Sequence, residues 1–410
     1  MKRVTLGIWA LIGLGACEEP TRPGTSSLAS PAAPAAAEQQ FTVRDLGTLG
    51  GAFSVANGIN EQGEVVGESE LSPSETRAFQ WRPGKGRRSL GTLGGDRSFA
   101  ESINDLSEVV GGSEVRPGST VYRAFLWSET RGMRGLGTLG GRNSIANGIN
   151  NRREVVGVSD NSNGRPRAFL WRPGVGMEGL GTLGGRESRA YDVNDATQVV
   201  GYSQTSDGSD HAFLWTQARG IEDLGSLGGR NSYAAGISQT GVVVGTSETA
   251  AGIQEAFMWT RQGGMRSLGR LGEGGFTAAL SVNTHRRVVG WSDNGSNPVA
   301  FVWTPEHGMQ PLPQPRPAAA GQASYLNEYG KIAGGSFVDI SPDQTAFHAL
   351  LWTPTAGPLV LASAGEGASV EAVAPAAAAR DGRGALCAVR RELADWSRSG
   401  MFRSRACLAG

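Results

Sequence analysis

Apolar residues recur along this chain in short runs broken by turn formers, and no segment shows the 3.6-residue spacing of a helix with one buried face. One run is built of small residues, Ala56-Asn57-Gly58-Ile59-Asn60, with counterparts at residues 100–104, 146–150, 190–194, 234–238, 279–283 and 323–327. A second follows about five residues later and ends in glycine: Val65-Val66-Gly67, then Val109, Val155, Val199, Val243 and Val288 opening the same triplet, and Ile332-Ala333-Gly334 last. Paired β-branched residues bounded by turn formers favour strands. Intervening segments such as Glu61-Gln62-Gly63 suit tight hairpins.

A third run is aromatic: Phe79 and Trp81, Phe125 and Trp127, Phe169 and Trp171, Phe213 and Trp215, Phe257 and Trp259, Phe301 and Trp303, closed by Leu350 and Trp352. Residues two apart share one face of a strand. The fourth is the phrase Leu-Gly-Thr-Leu-Gly-Gly, opening at Leu46, Leu90, Leu136 and Leu180, altered at Leu224 and Leu268, and reduced to Leu312 in a proline-rich stretch. Its intervals are 44, 46, 44, 44, 44 and 44 residues. The phrase itself reads as the fourth strand of each unit.

A fixed period of this length marks a unit that buries its apolar face only by stacking on its neighbours. Four short strands, seven times over, predict an all-β protein, a seven-bladed β-propeller of four-stranded blades, with an elongated β-solenoid as the alternative. Small residues suit an innermost strand crowded at the axis, and Phe and Trp would fill the wider space between blades. Each such aromatic buries roughly 150–250 Å², worth at most about 4–6 kcal/mol. Phe41 to Leu49 supplies a strand ahead of the first unit that would close the ring, in competition with Pro358 to Leu361.

The termini are of a different character. Lys2-Arg3 precedes an apolar stretch from Val4 to Leu14, which describes a secretory signal too short to span a membrane well. Leu14-Gly15-Ala16-Cys17 resembles the bacterial lipoprotein lipobox, which implies cleavage before Cys17, its lipidation, and anchoring to an outer or cell-surface membrane. Residues 18–40, rich in Pro, Ala and Ser, read as a tether between that anchor and the repeats of residues 41–361. Residues 362–410 form a low-complexity tail whose Cys387 and Cys407 would pair in an exported protein, or remain free thiols.

Charge is balanced, 38 basic residues against 38 acidic, without a long run of either sign, so no nucleic-acid surface is expected. Three cysteines and four scattered histidines form no metal constellation, and no nucleophile elbow, phosphate loop or His-Glu-x-x-His motif occurs. No cofactor or metal is expected, and the chain reads as a monomer. His211 and His348 share a repeat position that elsewhere holds Arg, Glu or Val, which points to a strand edge and away from catalysis.

The combination of Ala-Phe-x-Trp with Leu-Gly-Thr-Leu-Gly-Gly at one period, and the triplet His211-Ala212-Phe213, resemble the extracellular repeat of the HAF family. The resemblance covers residues 41 to about 361 and implies an exported bacterial repeat protein; it brings no activity, substrate or catalytic residue.

In a ring of near-identical blades, a binding site must lie where the copies differ. On the small-residue strand, Asp192 replaces Gly or Ser, and Asn57, Glu101, Asn147 and Tyr191 occupy a variable slot that would line the axis. A second set, Arg142, Arg186 and Arg230, follows Gly-Gly and would recur on one face, where it would meet anionic sugars or lipid headgroups or simply be solvated. The expected function is a surface-anchored, non-enzymatic scaffold that binds a protein or glycan. A polysaccharide hydrolase or lyase with an axial site, and a structural envelope component, are the alternatives.

Overall fold

A computed structural model describes residues 40–272 and 275–355 of the chain. These residues fold into seven four-stranded antiparallel sheets, each running outward from an innermost strand, and they form the seven-bladed β-propeller that the repeat arithmetic predicts. In blade 1 the strands are Ser54–Ile59, Val65–Ser72, Glu75–Arg82 and Gly86–Ser89, and blades 2 to 6 repeat this order at the sequence period. Cys17, the tether through residue 39, Pro358 to Leu361, the tail, Cys387 and Cys407 lie outside the described residues.

The ring is closed by the first strand. Phe41–Asp45 pairs antiparallel with Gln344–Pro354, from Phe41 opposite Pro354 to Asp45 opposite Leu350, and so becomes the outermost strand of blade 7. Blade 7 is thus made from both ends of the repeat region, and unfolding one end exposes the other's edge. Across the same seam, His348 Nδ1 lies 2.8 Å from Asp45 Oδ2. His211, the repeat counterpart of His348, lies 2.8 Å from Asp223 on the edge strand of blade 4.

One sequence expectation is corrected. The Leu-Gly-Thr-Leu-Gly-Gly phrase is not the fourth strand; that strand is the four-residue segment before it, as in Gly86–Ser89. The phrase leads from the outer edge of one blade to the innermost strand of the next, and in blades 3 to 5 its closing Gly-Gly opens that strand. Its glycines explain why: Gly91 at φ +78° and Gly94 at φ +117° adopt left-handed backbone that turns the chain from one blade toward the next. Its leucines are anchors, since Leu90 is 6% exposed and its N–H donates to Ala78 O at 2.8 Å. The N–H of Leu93 donates to Ser113 Oγ at 2.8 Å.

The core lies between blades. One apolar cluster joins Val244, Ala256 and Met258 of blade 5 to Ala279, Val288, Phe301 and Trp303 of blade 6. The six repeat phenylalanines and Trp352 are almost fully enclosed, as expected, while Trp171 and Trp259 keep some exposure. The blade interfaces are also clasped by hydroxyls. Ser98 Oγ donates to Gly91 O at 2.6 Å and accepts from the Ala78 N–H of the preceding blade at 2.9 Å, an arrangement repeated at Ser144, Ser188 and Ser232.

Candidate functional site

The innermost strands decide what the axis looks like, because alternate residues on a strand face opposite ways. On each of them one set of positions is nearly constant: Ala56, Ala100, Ala146, Ala190, Ala234, Ala279 and Ala323, all fully buried between blades. The flanking positions vary from blade to blade, and many of them line a cavity of about 560 Å³, within the range that holds small ligands. Its wall includes Asn57, Glu101, Asn147, Tyr191 and Asp192, the five axial residues singled out from the sequence. Arg142, Arg186 and Arg230 do not line it. They are exposed near the start of the innermost strands of blades 3, 4 and 5, where the carbonyls of Arg142 and Arg186 accept from the Arg123 and Arg167 guanidiniums.

Two of the five are committed to structure. Asn57 Nδ2 donates to Ala100 O at 2.9 Å, and Asn147 Nδ2 to Ala190 O at 2.7 Å, so both bridge to the next blade. Asp192 is a third bridge. Its Oδ2 accepts the Ile237 N–H of blade 5 at 3.0 Å and its Oδ1 the Val193 N–H at 2.8 Å. Burial pushes the Asp192 carboxyl up to about 6, held down in part by those two N–H groups.

Glu101 is different. Among the described residues no hydrogen bond is formed to its carboxylate, and burial, with the nearby Glu68 carboxylate adding to it, pushes the group up to about 8. At neutral pH it is a carboxylic acid facing the cavity, equipped to donate as well as accept. Around it the wall is aromatic. Phe99, two residues before Glu101 on the same strand face, packs on Tyr122 with ring centroids 5.7 Å apart. Farther round, Tyr191 stacks on Tyr202 at 6.1 Å, and Tyr202 meets Tyr233 edge-on at 5.0 Å. Burial and Glu114, which accepts from the Tyr122 hydroxyl at 3.1 Å, push that phenol up to about 12.

Phe99, Tyr122, Arg189, Tyr233 and Glu68 were not singled out from the sequence. Phe99, Arg189 and Tyr233 stand two positions before the variable slot and so share its face, and the strand period alone would have found them. Glu68 and Tyr122 come from neighbouring strands, which no single-strand pattern identifies. The Arg189 Nε is enclosed without a hydrogen-bond partner. Among the described residues no group of three or more His, Cys, Asp or Glu side chains is assembled that would hold a metal ion. No helix there is long and apolar enough to cross a membrane.

No protein-family profile and no curated protein sequence matches the chain. Solved structures do resemble it. A streptogramin B lyase is similar at 11% identity and a TM-score of 0.51, over 77% of this chain and 98% of that one. A catalytically inactive virginiamycin B lyase from Staphylococcus aureus, with quinupristin, is similar at 11% identity and a TM-score of 0.49, over 77% and 99%. TolB from Acinetobacter baumannii is similar at 11% identity and 0.41, over 71% and 80%. The first of these likenesses establishes a shared propeller fold and carries no activity with it.

Proposed function

We propose that the chain is an exported, lipid-anchored binding protein that captures a glycan in its axial cavity without turning it over. The observation that carries this reading is the division of labour on the innermost strands. Positions facing the blade interfaces are constant from copy to copy, whereas those facing the cavity change from Asn to Glu, Tyr, Ala, Leu and Ser at Asn57, Glu101, Tyr191, Ala235, Leu280 and Ser324. A purely structural ring has no use for such asymmetry. Aromatic faces beside hydrogen-bonding side chains are the chemistry that takes a sugar's apolar and hydroxyl surfaces together.

The lipobox-like Leu14 to Cys17 and the resemblance to an extracellular repeat support export and anchoring at Cys17. Palmitate labelling that persists in Cys17→Ala would remove the anchor from this reading. A glycan array probed with the purified chain tests the rest: binding should be lost in Tyr191→Ala, and an array without binders would defeat the proposal.

The Glu68–Glu101 pair favours a second reading, polysaccharide cleavage, because a raised carboxylic acid beside a second carboxyl is what general acid catalysis requires. Release of new reducing ends from an oligosaccharide bound on the array would establish turnover in place of simple capture.

A further inference from the structure

The cavity wall is unevenly charged. Its acidic members are Glu68, Glu101, Glu114, Asp160 and Asp192, five in all, against two basic ones, Arg97 and Arg189. Several of these charges are already answered inside the protein. Glu114 accepts from the Tyr122 hydroxyl, Asp160 Oδ2 from the Asn143 N–H at 3.1 Å, and Asp192 from two backbone N–H groups. Arg189 is hydrogen-bonded to Tyr202. Glu101 stands apart: half-buried, lining the cavity, next to a like-charged neighbour, and given no donor by the described residues. Phe99, two residues away on the same strand face and packed on Tyr122, adds an aromatic ring on its own blade, and Tyr191 lies within electrostatic range on blade 4. A carboxylate set among aromatic faces is the arrangement that recognises an organic ammonium group, through a charge-assisted hydrogen bond and cation–π attraction.

We infer that the axial cavity selects ligands bearing a protonated amine, received by Glu101 beside the rings of Phe99 and Tyr191, so that the glycan taken up is an amino sugar with its amine free. This inference rests on the glycan reading above and narrows it to one class of sugar. The chemistry carries a proton-linked signature. Before binding, Glu101 holds a proton at neutral pH, because burial and Glu68 disfavour the anion. An ammonium in the site reverses that balance, so the carboxyl ionises, its proton passes to solvent, and the pair becomes carboxylate and ammonium. Of the other titratable groups lining the cavity, Tyr122 and Tyr191 are held as neutral phenols by burial. Asp192, pushed up to about 6, titrates below the window in which Glu101 does.

The test is isothermal titration calorimetry of the full chain at pH 7, where an amine of α-amino type is largely charged, Glu101 still holds its proton and Asp192 is largely ionised, with glucosamine, N-acetylglucosamine, glucose and ethanolamine. Glucosamine is expected to bind at least about ten-fold more tightly than N-acetylglucosamine or glucose. Titrations in buffers of differing ionisation enthalpy should show close to one proton released per glucosamine bound. In Glu101→Gln, which mimics the protonated acid and should fold, the preference should shrink to within about two-fold and the proton release should vanish. Equal binding of glucosamine and N-acetylglucosamine overturns the amine inference and leaves the glycan reading standing. Ethanolamine binding as tightly as glucosamine supports the amine and removes the sugar. Binding of none of the four overturns both.

Discussion

Asn327 Nδ2 donates to the carbonyl of Asn60 at 3.1 Å, joining blade 7 to blade 1 across 267 residues of sequence. The bond is one link of a belt around the axis. Asn60 reaches Asn104 O, Asn104 reaches Asn150 O, Asn150 reaches Asn194 O and Asn194 reaches Ser238 O, all at 3.0–3.2 Å, while Asn283 reaches Asn327 O at 3.3 Å. Each asparagine also caps its own hairpin; Asn327 Oδ1 accepts the Lys331 N–H at 2.9 Å. Asn327→Ala strips both bonds from a buried site at the seam. It should cost on the order of 1–3 kcal/mol in urea denaturation, with two-state behaviour retained.

The belt has one gap, which makes the opposite prediction. At the fifth of these positions, in blade 5, the residue is Ser238, whose Oγ still accepts the Val242 N–H at 3.1 Å but which lacks an amide to extend to blade 6. In Ser238→Asn the new amide should reach Asn283 O as Asn194 reaches Ser238 O. A gain of about 0.5–1.5 kcal/mol is expected in the same assay; a loss of stability would show that the serine is required by its neighbours in blade 5.

The architecture was legible because the repeat writes each constraint seven times. Alanine at the blade interface, the Val-Val pair and Phe-x-Trp each have one environment, and period and composition together suffice to place them. The connecting phrase resembles a strand locally because its two leucines and threonine are interspersed with glycine, and the positive φ angles of Gly91 and Gly94 separate the two. The site was half legible. Asn57, Glu101, Asn147, Tyr191 and Asp192 do reach the cavity, since breaks in a repeat mark what symmetry does not need. That Asn57, Asn147 and Asp192 bond the next blade's backbone, while Glu101 receives no hydrogen bond from the described residues, depends on inter-blade distances that the sequence does not state.

The glycine ending each Val-Val-Gly run has a steric cause. A bulge in the innermost strand, between Ala190 and Asp192 in blade 4, pushes a carbonyl toward the second strand. A Cβ on Gly201 would lie 1.9 Å from Arg189 O. Gly201→Ala must therefore displace backbone, and a cost of at least about 3 kcal/mol is expected. Gly118, at φ +66° with open space around it, isolates the conformational component alone, and Gly118→Ala should cost only about 1–2 kcal/mol. Thermal or urea melts of the two variants should rank them in that order.

Glu101 also makes stability depend on pH, and its sign differs from that of a salt-bridged carboxylate. Its ordinary value of 4.5 is raised to about 8 in the folded chain, chiefly by burial and then by Glu68. Between those two values the folded state holds a proton that the unfolded state has released, so the slope of unfolding free energy with pH is negative. Stability is therefore full below about pH 4.5 as far as this group is concerned, declines through the neutral range, and reaches its floor once pH passes about 8. Each unit of separation corresponds to about 1.4 kcal/mol, giving several kcal/mol in total. Glu101→Gln keeps the shape of the protonated acid without the titration, and its denaturation midpoint should change far less between pH 5 and 9 than that of the parent chain. Parallel pH profiles for the two would mean that Glu101 is ionised in the folded protein.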